Sequence, residues 1–259
     1  MTSRIAWIAF NTFREAVRDR VLYNLVFFAL LMVSSALLFG GISINVERLF
    51  LINLGLTSIS LFGVLIAIFL GIGLVFKEIE KRTLYTLLSR PVRRWEFIVG
   101  KFFGLAGTLV VNTLFMTLGF YGALFYLARS FTAADAYLLV AIYFIVLQFL
   151  MVTALALFFS TFASPVLSAV FAFSLFIAGS FAEDLRAFAA MSDVATTRWL
   201  ATAAAYLVPN FSALNVIASV AHGQPVAGAL VLGNTLYALL YTGAVLFAAI
   251  LIFEYRNLK

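Results

Sequence analysis

The sequence predicts an all-α, polytopic membrane protein. It has six transmembrane helices behind an N-terminal amphipathic helix in the interface, with the N- and C-termini both on the inner side. Three observations predict this. Hydrophobic residues make up 64% of the 259 and charged residues 11%, whereas an ordinary soluble domain is about a quarter charged. The chain contains long uncharged stretches, among them the 47 residues of Ala136–Ala182. Its basic residues are also segregated, with 13 of 17 falling on segments assigned to one side. Lipid offers no partner to an unpaired backbone group, so apolar stretches of this length are helices. The whole chain, 1–259, reads as one transmembrane domain.

The first element, residues 2–20, is not a span. Apolar residues recur at Ile5, Ile8, Phe13, Val17 and Val21, the spacing of one helix face. Arg4, Arg14 and Arg18 fall largely off that stripe, and Trp7, Phe10 and Phe13 sit at headgroup depth. This helix serves either as a membrane anchor or as a surface for a partner.

A helix needs roughly 20 residues to cross about 30 Å of hydrocarbon. Spans are expected over about 21–41, 51–76, 102–128, 136–160, 165–182 and 226–253. The fourth and fifth divide the long uncharged run at "STFASP", Ser160–Pro165. Basic residues mark cytoplasmic segments, and the inner segments 1–20, 77–101, 161–165 and 254–259 carry 13 Lys and Arg against four outside. The net charge of +6 therefore reports membrane orientation and not nucleic-acid binding.

The loop over 77–101, "KEIEKRTLYTLLSRPVRRWEFIVGK", is the most charged piece of the chain. It holds seven of the 17 basic residues and three of the 11 acids. Pro91 disfavours a helical residue before it and suits a first turn. One short helix is thus expected to end near Leu88, and a second to run from Pro91 through Trp95 into the third span. Orientation alone explains Arg90, Arg93 and Arg94. It does not explain why Glu78, Glu80 and Glu96 are interleaved, or why a short structured hairpin would be built, with Leu84, Leu87 and Leu88 left as an apolar set too short to cross a bilayer. A docking surface for a cytoplasmic partner explains both.

The outer region, about 183–225, is apolar but broken by Pro209, Asn210 and "HGQP". Two or three short helices at the outer leaflet fit it, partly re-entrant. Ser180 and Glu183 have the spacing of a capping box. His222, the single histidine, reads as a surface residue.

Several chemistries are excluded. Without cysteine there is no disulfide or thiolate metal site, and no metal site is expected. The span cores carry no Asp, Glu, Lys, Arg or His, which ion-coupled carriers use at depth. Asn112, Gln148 and Asn234 are the notable polar residues there, read as helix packing ahead of a polar pathway. Gly100-Lys101 is followed by Phe102, and Trp95 stands where a phosphate-binding loop needs glycine. No catalytic residue is expected, and the chain is not an enzyme. Energy for uphill transport has to come from another subunit.

The run Phe76–Gly104 resembles the signature region of ABC-2 type transporter permeases. Glu78, Glu80, Thr83, Leu84, Leu87, Leu88, Ser89, Arg90, Pro91, Gly100 and Lys101 carry the likeness. "FREAVRDRVLYNL", "LVPNFSALNV" and "FEYRNLK" are similar to the family's entry to span one, its segment before span six and its basic tail. Within the family, the chain looks closest to permeases of the nitrous-oxide reductase maturation type. The resemblance implies that 77–101 carries a coupling helix docking on a separate ABC ATP-binding subunit, which holds ATP and Mg. Glu78, Glu80, Thr83, Leu84, Leu87, Leu88, Arg90, Pro91 and Arg94 are then the contacts. It further implies an exporter in a bacterial or archaeal inner membrane, with two permeases paired as a homodimer or heterodimer. A membrane scaffold that recruits a cytoplasmic partner without transport is the alternative.

Overall fold

The computed structural model describes residues 2–19, 47–80, 93–129, 135–191 and 194–255, together with 132 and the helical residues 22, 23, 25–27, 30, 31, 34 and 35. Among these residues every regular element is helical. They are α1 (Thr2–Val17), α2 (Glu47–Glu80), α3 (Arg94–Ala128), α4 (Asp135–Ser160), α5 (Pro165–Ser180), α6 (Ala182–Met191), α7 (Ala195–Leu207), α8 (Ile217–Ala221) and α9 (Gly228–Tyr255), with a 3-10 turn at Ser212–Leu214. Among the described residues α2, α3, α4 and α9 are each long and apolar enough to cross a membrane. The pair α5 and α6, bent by 50°, makes a fifth candidate. The chain is a multi-pass membrane protein. The first span expected, over 21–41, falls largely outside the described residues.

The helix boundaries follow from local chemistry. α2 carries no charge or proline between Leu49 and Phe76, and its backbone stays helical on through Glu80. The start of α3 is fixed by Arg93, whose backbone is extended and whose N–H donates to Glu96 Oε2 at 2.9 Å. That bond occupies a donor that the helix itself leaves unpaired. α3 ends on Arg129 in the left-handed region, its N–H returning to the Phe125 carbonyl at 2.8 Å. Between α4 and α5, the amides of Thr161, Phe162 and Ala163 bond back to Phe158 and Phe159, Ser164 is extended, and Pro165 opens the next helix. The proline ends one helix and begins the next because it lacks an N–H and suits a first turn.

α4 is the central post. It packs against α2, α3, α5 and α9, and Phe144, Phe149, Met151, Val152, Ala154 and Leu157 are all buried. Small residues on α2 set the spacing: an added Cβ at Gly63 would lie 1.9 Å from Phe149 Cζ. Only a residue without a side chain lets the two helices meet over that ring.

Several hydroxyls inside the spans are satisfied locally. Ser58, Thr108, Thr113 and Thr153 each donate to the carbonyl four residues back, at 2.6–2.9 Å. The capping box expected at Ser180 does not form. Ser180 Oγ donates back to the Phe176 carbonyl, and the Glu183 amide donates to Ser212 Oγ instead. The 3-10 turn folds in close enough to take that amide first.

Candidate functional site

At the end of the bundle where α3 begins, three helices converge. α1 lies along the first turns of α3 and makes its most extensive contact there. The face it meets is nearly bare: a Cβ at Gly100 would strike Ile8, and one at Gly104 would fall 2.5 Å from the Ala9 carbonyl oxygen. Thr12 and Ala16 are buried in the seam, while Trp7 is 67% and Phe10 56% exposed. Arg14 and Arg18 are exposed, and Phe13 turns its half-buried ring toward Gly107. The helix therefore has two faces, one fastened to α3 and one open with aromatic and basic residues.

Lys101 lies two turns inside α3 and is buried. Its ammonium stands 3.9 Å from Glu15 on α1 and 5.7 Å from the centre of the Phe97 ring. A buried ammonium needs such compensation, from a carboxylate and from the negative face of an aromatic ring. Phe97 stacks on Phe253 of α9 with ring centres 5.8 Å apart, and Ile98, Ala249 and Phe253 close a small separate core. Arg94 Nη1 donates to the carbonyls of Phe253 and Glu254 at 3.1 and 2.8 Å. These carbonyls lie in the last described turn of α9, toward the negative end of its dipole.

Of the loop residues singled out from the sequence, Thr83, Leu84, Leu87, Leu88, Arg90 and Pro91 lie outside the described residues. Glu78 and Glu80 are placed in the backbone of α2, but their side chains are outside the description. Arg94 is the one member placed with its contacts, and it grips α9.

The opposite end of the bundle holds two cavities. The larger, about 490 Å³, lies among Arg48, Asp135, Leu138, Val220 and His222. Asp135, buried at the start of α4, binds Arg48 of α2 and accepts from the Thr132 amide and hydroxyl at 2.7 and 2.9 Å. Tyr121 of α3 donates to the Asp135 carbonyl at 2.9 Å, so one residue ties three helices together. The smaller cavity, about 110 Å³, lies deeper, between Thr57, Ser60, Gln148, Ser180, Ser212 and Asn215. Its wall mixes these polar groups with Ile145, Phe176, Phe211, Leu214 and Ile217, and it is large enough for a few waters. Gln148 Nε2 donates to Ser60 Oγ at 3.3 Å on its wall.

The segment from Val208 to Gly223 contributes to the lining of both cavities. Phe211, Leu214, Val216 and Val220 are buried. Asn234 donates to the Ala213 carbonyl at 2.6 Å, and the Asn210 amide donates to Tyr237 Oη at 2.8 Å. Pro209 approaches α5 so closely that a Cβ at Gly179 would lie 2.1 Å from its carbonyl oxygen. Gln148 and Asn234 thus have helix-packing partners. Asn112 Nδ2 is buried without a hydrogen-bond partner. Sequence reasoning passed over the pairing of Arg48 with Asp135 and gave Lys101 only as part of the family likeness, although charges opening two spans on the same side could have suggested the pair.

Among the described residues no group of acids or His is arranged to hold a metal ion. The geometry is that of a helical bundle with a braced end and an end with cavities. No curated protein matches the chain. The description of ABC-2 family transporter proteins matches residues 6–258, from the interfacial helix to the last residues after α9. The chain belongs to the ABC-2 transporter permease family and is a membrane subunit of that transporter class.

Proposed function

We propose that this chain is the permease of an ABC exporter in a bacterial or archaeal inner membrane, coupled through the loop at 77–101 to a separate ATPase that holds ATP and Mg. Two permeases pair in the complex, and the chain crosses the membrane six times with both termini in the cytoplasm. The observation that carries this reading is the family match over 6–258, taken with a loop whose acids and arginines exceed what orientation requires. The braced end of α3 supports it, since a push delivered to the loop enters the bundle there. Members of this family typically act with an ABC ATP-binding subunit and are generally not catalytic themselves.

The test is a detergent pull-down of the tagged chain, with mass spectrometry of what co-elutes. A stoichiometric P-loop ATPase is expected. Reversing Glu78→Lys and Glu80→Lys together is expected to abolish the permease's stimulation of ATP hydrolysis while membrane insertion persists. Unchanged stimulation in that double variant removes the loop from the mechanism. Recovery of a partner whose binding ignores nucleotide favours the scaffold alternative.

A further inference from the structure

We infer that Arg94 is an internal clamp, fastening the last helix to the exit of the cytoplasmic loop, and not a contact for the partner ATPase. Its guanidinium donates to the two terminal carbonyls of α9, at 3.1 Å from Phe253 and 2.8 Å from Glu254. Three turns of α3 repeat the theme with different chemistry. Phe97 stacks on Phe253, Gly100 and Gly104 seat α1, and Lys101 lies beside Glu15 of α1. The helix emerging from the loop therefore holds the first and last helices of the chain at once.

The chemistry favours a clamp over a docking contact. Nη1 carries two N–H groups and gives one to each of two adjacent acceptors. Carbonyls toward the C-terminal end of a helix carry partial negative charge, so Arg94 meets a need internal to this chain. The stacked ring pair beneath it resists shear between α3 and α9, because sliding one helix breaks both contacts together. A displacement of the loop exit is thereby passed to α9 as well as along α3. The direction of that displacement rests on the coupled-permease reading above; the clamp itself does not.

The chain contains no cysteine, so a labelled pair can be added without background. Trp95→Cys and Tyr255→Cys place spin labels on either side of the clamp; Tyr255 is 86% exposed. Pulsed dipolar spectroscopy on the full chain in nanodiscs then reads the α3–α9 distance in the parent, Arg94→Ala and Arg94→Lys backgrounds. A narrow distribution is expected in the parent, a broad one with Arg94→Ala, and a largely restored one with Arg94→Lys, which keeps a cationic donor.

The co-eluting ATPase is quantified for the same three proteins. Full retention by Arg94→Ala is expected, with ATP turnover falling to that of the ATPase alone, and lysine restoring it. An unchanged distance distribution in Arg94→Ala overturns the clamp. Release of the ATPase by Arg94→Ala with a narrow distribution makes Arg94 a docking residue and also overturns it. If the parent brings down no ATPase, the coupled-permease reading fails, and the distance distribution still decides the clamp.

Discussion

Replacing Gly104 by alanine puts a methyl carbon 2.5 Å from the Ala9 carbonyl oxygen and 2.5 Å from Thr12 Cβ. Carbon contacts are favourable at about 3.5–4.0 Å, so the methyl arrives roughly 1 Å too close. A flexible side chain could swing aside, but a helix carbonyl cannot. α1 has to move away from α3 as a body. Overpacking of this kind costs about 1–3 kcal/mol, and each 1.4 kcal/mol is about tenfold in an equilibrium. The docked population of α1 is therefore expected to fall by between about fivefold and a hundredfold. Thr12, buried in the seam with no partner for its hydroxyl, is the natural reporter. In a Thr12→Cys background, labelling by a water-soluble maleimide reads the opening of α1 directly, and Gly104→Ala is expected to speed it by that factor. Gly73→Ala is the control, since among the described residues no heavy atom lies within 4 Å of its added carbon, and its labelling rate is expected to match the parent. Equal rates in all three proteins would refute the close-approach reasoning.

Two further outcomes are expected. Gly63→Ala drives its methyl into the buried Phe149 ring and should destabilise by about 1–3 kcal/mol. Phe149→Leu should relieve part of that loss, giving a coupling of about 1–2 kcal/mol in a denaturant double-mutant cycle, and strict additivity would show that the ring is not the obstacle. Asp135→Ala should cost about 2–3 kcal/mol, since a buried carboxylate that accepts from Thr132 and binds Arg48 is lost. Arg48→Ala should cost under about 1 kcal/mol, because its side chain is 41% exposed and water replaces part of the pair. Unfolding midpoints that reverse this order would mean Arg48 is the anchor.

Much of the element order was legible because hydrophobicity is a local property. The break at Ser160–Pro165 is an example: proline leaves no way to continue the helix, and the turn stands where its missing N–H requires. The amphipathic stripe of α1 was legible for the same reason, but what it packs against was not. Periodicity reports that a face is buried and is silent on whether lipid or a helix buries it. Arg94 shows the same limit. Within its own neighbourhood it belongs to a basic loop, and the acceptors that claim it lie 159 and 160 residues away.

The sequence by itself determined that this chain is helical, lives in a membrane and resembles ABC-2 permeases. Those conclusions need only the cost of unpaired backbone in lipid, the length of a bilayer crossing and a local motif. Tertiary structure alone decided which small residues are contact points, which charges are buried and where the cavities lie. Gly63 and Gly73 look alike in sequence, yet one faces a phenylalanine ring and the other meets nothing within 4 Å among the described residues. Lys101, written as the end of a cytoplasmic loop, becomes a buried cation because α1 folds over it. Such facts depend on neighbours distant in the chain, and pairwise proximity is the information that a one-dimensional pattern does not hold.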